Sequence, residues 1–322
     1  MKKIFLLLLF LVTIVLIIIY LNPFASPGTS AKNEIFTLDS EKKEVTGLKL
    51  EEAGFVKSMT AFEIAMIIKG KTKVEPGGYY LAKNMDTWEI VDALSEGPDL
   101  KWVTVLPGMR KEQIGERLQE TFNWSAEELE KWNTEYTTQK EEYTEGVYFP
   151  DTYLIPVKEN GQLVAARMIN NFNTQFSDYY DKFEEKNIKW TTAIKIASLI
   201  QREAGGEHDM PLIAGVMWNR LNNNQKLDID ATIQYAIGKR DGKWWSVVTG
   251  SDIRETDSPY NTYKYSGLPP YPISNPSLAA IEAVLNPQDT DCIFYLHDKN
   301  REIHCSVTYE EHLEYIDTYL RN

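Results

Sequence analysis

The chain has 322 residues, 43% of them hydrophobic and 25% charged, which is enough apolar material for one large domain or two or three small ones. Its formal net charge is −13, from 34 Lys and Arg against 47 Asp and Glu. That balance excludes a nucleic-acid partner, whose binding rests on Lys and Arg displacing counterions, and it offers no basic face for anionic lipid.

The chain opens with Met1-Lys2-Lys3, followed by an uncharged run from Ile4 to Leu21 in which only Thr13 and Tyr20 carry a polar group. Such a run is just long enough to cross a bilayer as a helix. Asn22-Pro23 ends it, and Lys2 and Lys3 keep the short terminus inside. The reading is a cytoplasmic tail at 1–3, a retained transmembrane helix at 4–21 and a bulk outside the plasma membrane. A cleaved signal peptide is the rival, but its apolar region is normally shorter and no small-x-small site precedes Pro27. No Cys lies near the end of the run, which argues against a lipoprotein.

Residues 22–34, rich in Pro, Gly and Ser, read as a linker. Residues 35–155 read as short strand–helix units. Met85, Ile90 and Leu94 recur as Met109, Ile114 and Leu118 at a constant offset. Each set follows a short strand and a turn, and the Ile and Leu, four apart, share a helix face. The segment Val103–Leu118 resembles the opening of a LysM module, a small glycan-binding fold; the alternative is a purely packing role. Glu145–Tyr153 reads as a strand and turn leading into the second half, 156–322.

That half begins with helices near 163–183 and 191–204. A third, near 211–221, has Asp209 as its expected N-cap and Pro211 in its first turn. A short helix from Asp230, a loop region at 256–276, a helix at 277–285, a hairpin and a helix from Thr308 complete it. Cys292 and Cys305 flank the hairpin. Outside the cytoplasm they can form a cross-strand disulfide; otherwise they are two buried thiols. Register decides, and the sequence leaves it open.

The chemistry points to one acid. On the helix 191–204 the apolar stripe Ile196, Leu199 and Ile200 continues onto Glu203, at i+3 from Ile200 and i+4 from Leu199. A carboxylate on that face loses hydration, and the negative helix terminus adds to the effect, so its pKa should rise. A carboxyl still protonated near neutrality is what protonation of a glycosidic oxygen requires. The bland alternative is a Glu that snorkels to water or pairs with Arg202 or Arg220. The loops beyond supply Tyr faces, amides, hydroxyls and rigid prolines suited to sugars. They nominate Asn219, Asp230, Thr232, Gln234, Tyr260, Asn261, Thr262, Tyr263, Leu268 and Pro269 as substrate-binding. Asp230 is equally well placed to be a helix N-cap. His208, His297, His304 and His312 form no HExxH pattern, so no zinc hydrolase is implied. His304 and His312 remain candidates for the groove, with packing roles the simpler reading.

Ala197–Ala204, Asn219-Arg-Leu221, Asp230-Ala-Thr232, Tyr260–Tyr263, Gly267–Pro270 and Glu145–Tyr153, in that ordered set, resemble the YceG-like family of endolytic murein transglycosylases. The resemblance runs over about 35–318. It implies an α+β fold with a single N-terminal membrane helix, a LysM-like α/β subdomain and a larger mixed catalytic domain. It implies cleavage of the β-1,4 bond between N-acetylmuramic acid and N-acetylglucosamine in nascent strands. There the muramyl C6 hydroxyl attacks C1, giving 1,6-anhydro ends without water. Glu203 falls on the family's catalytic Glu. No metal or organic cofactor is implied; the implied partners are peptidoglycan strands and, through the family alone, the glycan polymerases. Gln201 stands where many members carry another acid, Ala231 where Pro is usual, and the strand Phe36–Leu38 lacks its usual Pro-Gly turn. The rivals are a water-using muramidase and a non-catalytic peptidoglycan-binding scaffold.

Overall fold

A computed structural model describes residues 22–39, 42–138, 140, 142 and 144–321. The expected membrane helix, Ile4–Leu21, lies outside the described residues. Among the described residues no helix is long and apolar enough to cross a membrane. The described chain is mixed α+β and falls into two compact units. One comprises 22–102 with Tyr153–Lys158, the other Val103–Thr152 with Glu159–Arg321. The block expected at 35–155 is therefore divided between the units.

In the first unit the sheet runs in the order β1 (Asn33–Leu38), β2 (Gly77–Ala82), β3 (Leu100–Thr104), β4 (Thr152–Pro156). β1 pairs antiparallel with β2 from Asn33↔Ala82 to Leu38↔Gly77. Strand alternation sends Phe36 and Leu38 inward and leaves Ile35 exposed. Helices α1 (Lys43–Glu52), α2 (Met59–Ile68) and α3 (Thr87–Ser95) complete a core that includes Leu50, Phe62, Met66, Tyr79, Leu81 and Ile90. The expected linker is not a free tether. Phe24 stacks on Trp88 at 5.3 Å, Thr87 N–H donates to Phe24 O, and Gly28 N–H donates to Lys83 O. Apolar contact and backbone pairing hold a segment that composition alone marks as flexible.

The repeated unit extends to atomic detail. Met85 Sδ accepts from Ala82 N–H and Met109 Sδ from Leu106 N–H, each at 3.3 Å. Glu89 accepts from Asp86 N–H, and Gln113 from Arg110 N–H, at matching positions. Ile90, Leu94, Ile114 and Leu118 are all buried.

In the second unit α4 (Lys111–Phe122) packs on α5 (Ala126–Lys131) and the π-helical turn Trp132–Tyr136 that continues it. Trp132 is fully buried and donates to Lys111 O at 2.8 Å. Its ring approaches so closely that a Cβ on Gly115 would lie 2.5 Å away. The strand expected over Glu145–Tyr153 begins only at Thr152. Residues 145–151 run irregularly: Tyr148 N–H donates to the buried Asn275 side chain, and Asp151 O accepts from Val105 N–H.

Beyond lie α6 (Gly161–Glu185), α7 (Trp190–Glu203), α8 (Met210–Asn222), α9 (Asp230–Ile237), α10 (Gly250–Glu255), α11 (Leu278–Leu285), the hairpin β5 (Phe294–His297) and β6 (Ile303–Ser306), and α12 (Tyr309–Ile316). α7 is surrounded by α6, α8, α9 and α11.

The hairpin register sets Tyr295 against Cys305 and His297 against Ile303. Cys292 and Cys305 are joined as a disulfide with Cα atoms 5.8 Å apart. The bridge spans a sequence separation of 13. A loop of that size removes about 3 kcal/mol of unfolded-state entropy. Cys292→Ser with Cys305→Ser is expected to lower unfolding stability by about that amount, read by denaturant titration.

Candidate functional site

α7 forms because its apolar positions recur at helical spacing, and Ile196, Ala197, Leu199 and Ile200 are fully buried. Glu203 ends the helix on that stripe. Gln201 and Arg202 turn away: Gln201 Oε1 accepts from Ser277 N–H at the start of α11, and the Arg202 guanidinium lies 3.9 Å over the Trp245 ring.

Glu203 is neither snorkelled nor salt-bridged. Its Oε2 accepts from the Tyr295 hydroxyl at 2.9 Å. The residue keeps partial exposure, but protein packed around the carboxyl removes its hydration, and burial raises its pKa above the usual carboxylate range. The Tyr295 hydrogen bond opposes the rise, the Asp230 charge adds to it, and His297 and Arg202 oppose it.

Three groups of this neighbourhood are not evident from the local sequence. Tyr295 and His297 stand two apart on β5, hence on one strand face, while Leu296 points into the core. Asp209, expected as an N-cap, precedes α8 but makes no capping hydrogen bond. Its fully buried carboxyl accepts from Gly205 N–H at 3.0 Å and lies 3.0 Å from His297 Nε2 through the same oxygen, Oδ2. His208 Nε2 lies equally near Oδ1, but off the hydrogen-bonding direction, so that oxygen has no hydrogen-bond partner among the described residues. A Cβ on Gly205 would meet Asp209 at 2.9 Å, so the close approach requires glycine. The usable sequence signal was the strand period: an ionisable pair two apart beside a buried Leu.

The nominated residues divide by what their polar atoms do. Asp230 is the first residue of α9, with Ile229 as N-cap, and its carboxylate accepts from the half-buried Tyr263 hydroxyl at 2.7 Å. Burial and this acidic neighbour raise the Tyr263 pKa. Thr232 and Thr262 are buried, share a 3.0 Å hydroxyl contact and bond the Ile229 backbone. Asn261, also buried, donates to Ile253 O and Thr256 O and accepts from Tyr263 and Lys264 N–H. These three hold the loop that presents Tyr263. The Asn219 amide donates to Thr290 O and Cys292 O, tying α8 to the hairpin entry. Gln234 donates to Ser246 O. The Tyr260 ring packs on Tyr235 at 4.8 Å, and burial pushes its phenol up to about 12. Leu268 is partly exposed and Pro269 buried. His304 and His312 take packing positions, stacked on Tyr319 and Phe294.

A second buried acid, Glu145, sits beside the first turns of α7. Glu145 accepts from Lys111 and Gly146 N–H and from Asn275 Nδ2. Although these donors favour its charge, burial and the Glu112 charge push its pKa up to about 8. It adjoins a cavity of about 420 Å³ lined by the first turns of α7, with Trp190, Ile194 and Lys195, and by Pro270–Pro272. Glu203 is not among the lining residues.

Among the described residues one grouping could hold a metal ion: Asp298, Glu302 and His304, whose ligand atoms lie within 4.8 Å of one another. It occupies the hairpin turn, where Asp298 Oδ1 already accepts from Asn300 and Glu302 N–H.

Residues 39–318 match the sequence model of the YceG-like family. The chain is 30% identical over 293 residues to the endolytic murein transglycosylase of Bacillus subtilis strain 168, covering 84% of this chain and 80% of that protein. It is 33% identical over 285 residues to the endolytic murein transglycosylase of Streptococcus pneumoniae D39, covering 78% of this chain and 52% of the relative, so it spans about half the pneumococcal protein. The crystal structure of a putative yceG-like protein of Listeria monocytogenes aligns with a TM-score of 0.61 at 25% identity, over 88% of this chain and 99% of that one. Match, identity and fold agree, and the chain belongs to the YceG-like family.

Proposed function

We propose that this protein is an endolytic murein transglycosylase: a lyase that cuts the β-1,4 bond between N-acetylmuramic acid and N-acetylglucosamine within peptidoglycan strands. The observation that carries the reading is Glu203, a desolvated carboxyl with raised pKa whose Oε2 is engaged by Tyr295. That engagement leaves Oε1 to carry the proton. Glu203 gives it to the glycosidic oxygen as the C1–O bond breaks. The resulting carboxylate takes the C6 hydroxyl proton as O6 bonds to C1, so acid and base are one residue and no water enters. Asp230 and Tyr263 border the site, with Tyr260, Leu268 and Pro269 as further sugar contacts. The strand–turn–helix repeats serve as LysM-like glycan contacts. Ile4–Leu21 anchors the protein in the plasma membrane with both units outside, where the disulfide is at home. The glycan polymerases that extrude the strand are its proposed partners.

The test is mass spectrometry of fragments released from purified peptidoglycan. Anhydro-muramyl ends support the lyase. A hydrolytic reading has one observation in its favour, the Asp230 charge close enough to act on Glu203, since two carboxylates suit a water-using muramidase. Reducing ends in place of anhydro ends would establish it. The absence of either product from a verified substrate would leave a binding scaffold.

The active form holds the proton, so activity should fall as pH rises through the elevated Glu203 pKa. Tyr295 stabilises the ionised form. Tyr295→Phe is therefore expected to move the alkaline limb of the pH–rate profile to higher pH; an unmoved limb would sink the assignment of the Tyr295 contact.

A further inference from the structure

α2 is apolar nearly all round, MTAFEIAMII. Ala61, Phe62, Ala65 and Met66 face the core. Ile64, Ile67 and Ile68, at i, i+3 and i+4, form a second stripe on the outer face and are 42%, 63% and 66% exposed. A soluble surface helix normally carries polar residues there. Residues 57–73 carry Lys57, Lys69, Lys71 and Lys73 against Glu63, a formal charge of +3 in a chain of −13, which Asp92, the ion-pair partner of Lys69, reduces to +2. The expectation that no basic face exists fails locally.

The position of this stripe relative to the start of the described chain is set by contacts within the first unit. Lys69 Nζ donates to Trp88 O at 3.4 Å, reaches over the Trp88 ring and pairs with Asp92. Trp88 stacks on Phe24, and Asn22 begins the described chain immediately after Leu21. The described chain therefore begins, at Asn22, near the C-terminal end of α2, and the apolar run Ile4–Leu21 directly precedes it in the sequence. With the proposed anchor in place, Trp88 and Phe24 would serve as the interfacial aromatic residues that flank a membrane span.

The geometry points to a bilayer-docking surface: the outer face of α2 rests in the lipid interface next to the proposed membrane helix, its isoleucines among the upper acyl chains and the exposed Lys57 and Lys71 on anionic headgroups. This rests on the proposed anchor. A second copy of the chain is the poorer occupant, because three isoleucines fall far short of the roughly 800 Å² per partner of a stable protein interface.

The test uses the full chain, reconstituted in phosphatidylglycerol–phosphatidylcholine liposomes, with an environment-sensitive dye on Ile68→Cys; the native cysteines are already paired. Val247→Cys, at an 83% exposed position, is the aqueous reference. Flotation with the liposomes reads the anchor and quenching reads the patch. Docking predicts blue-shifted emission at 68, quenching by nitroxide-labelled acyl chains and loss of the iodide quenching seen at 247. Adding Ile64→Glu and Ile67→Glu, exposed positions that leave the core intact, should restore iodide access. A floated protein whose dye at 68 is as open to iodide as that at 247 overturns the docking and keeps the anchor. A dye shielded from iodide but untouched by lipid nitroxide overturns it in favour of a protein contact. Protein that does not float overturns both.

Discussion

Glu203→Gln is expected to lower the rate of glycan cleavage by about 10²- to 10⁴-fold, the range associated with a positioned general acid or base. The substitution keeps the side-chain shape and an oxygen able to accept from Tyr295, and removes only the transferable proton. Time courses of anhydro-muramyl ends, native against variant, measure the loss. Folding gives the control. Because burial raises the Glu203 pKa, the folded state binds this proton more tightly than the unfolded chain does. That contribution to stability is present at low pH and is lost as pH rises above the unfolded value. The neutral amide carries no such loss, so the variant should be at least as stable as the native protein at pH 8. Lost activity with retained melting temperature marks a catalytic group. Lost activity with lost stability would return Glu203 to a structural role, and unchanged cleavage would remove it from the mechanism.

Asn275→Ala is expected to have a large effect on stability, about 2–4 kcal/mol, since each of three buried hydrogen bonds lost costs roughly 0.5–1.5 kcal/mol. Asn275 is fully buried. Its Nδ2 donates to Met109 O and Glu145 Oε1, each at 2.9 Å, and its Oδ1 accepts from Tyr148 N–H at 2.8 Å. Truncation removes these three bonds, while Met109 O keeps the Asn275 backbone N–H and Glu145 Oε1 keeps the Lys111 and Gly146 N–H groups.

The loss should also depend on pH. With Glu145 raised from 4.5 to about 8, the folded state holds an extra proton between those values, and native stability falls as pH rises across that window. Asn275 supplies one of the donors that favour the Glu145 charge. Its removal should therefore hurt more at pH 9, where the native carboxyl is ionised, than at pH 6. Denaturant titrations at both pH values decide it: equal losses would mean that the Asn275 contact does not act on Glu145 ionisation.

The legible part of the site is the part written at helical spacing. Ile196, Leu199 and Ile200 point to Glu203 from within eight residues, and the same periodicity marks α3 and α4 through their shared Met, Ile and Leu. The amide- and hydroxyl-rich loops were read for their chemistry, yet Thr232, Asn261 and Thr262 spend theirs on neighbouring backbone. Composition reports which groups a loop offers and not where their lone pairs turn. Tyr295 reaches Glu203 across 92 residues of sequence and Asn275 reaches Glu145 across 130. No local period encodes either meeting.

The sequence by itself determined the α+β composition, the helix that ends on an acid, the repeated strand–turn–helix unit and the apolar run at the start. Each of these is a short-range pattern, set by side-chain periodicity, caps and turns. Only the tertiary structure decided that Glu203 meets a tyrosine hydroxyl instead of an arginine, and that Asp209 turns from capping a helix to joining His297. Only the tertiary structure decided the bond between Cys292 and Cys305, since the disulfide waits on hairpin register. The physical reason is common to all three: a buried carboxyl or thiol takes whichever partner the packing of distant elements brings within bonding distance, and that packing is a property of the whole core.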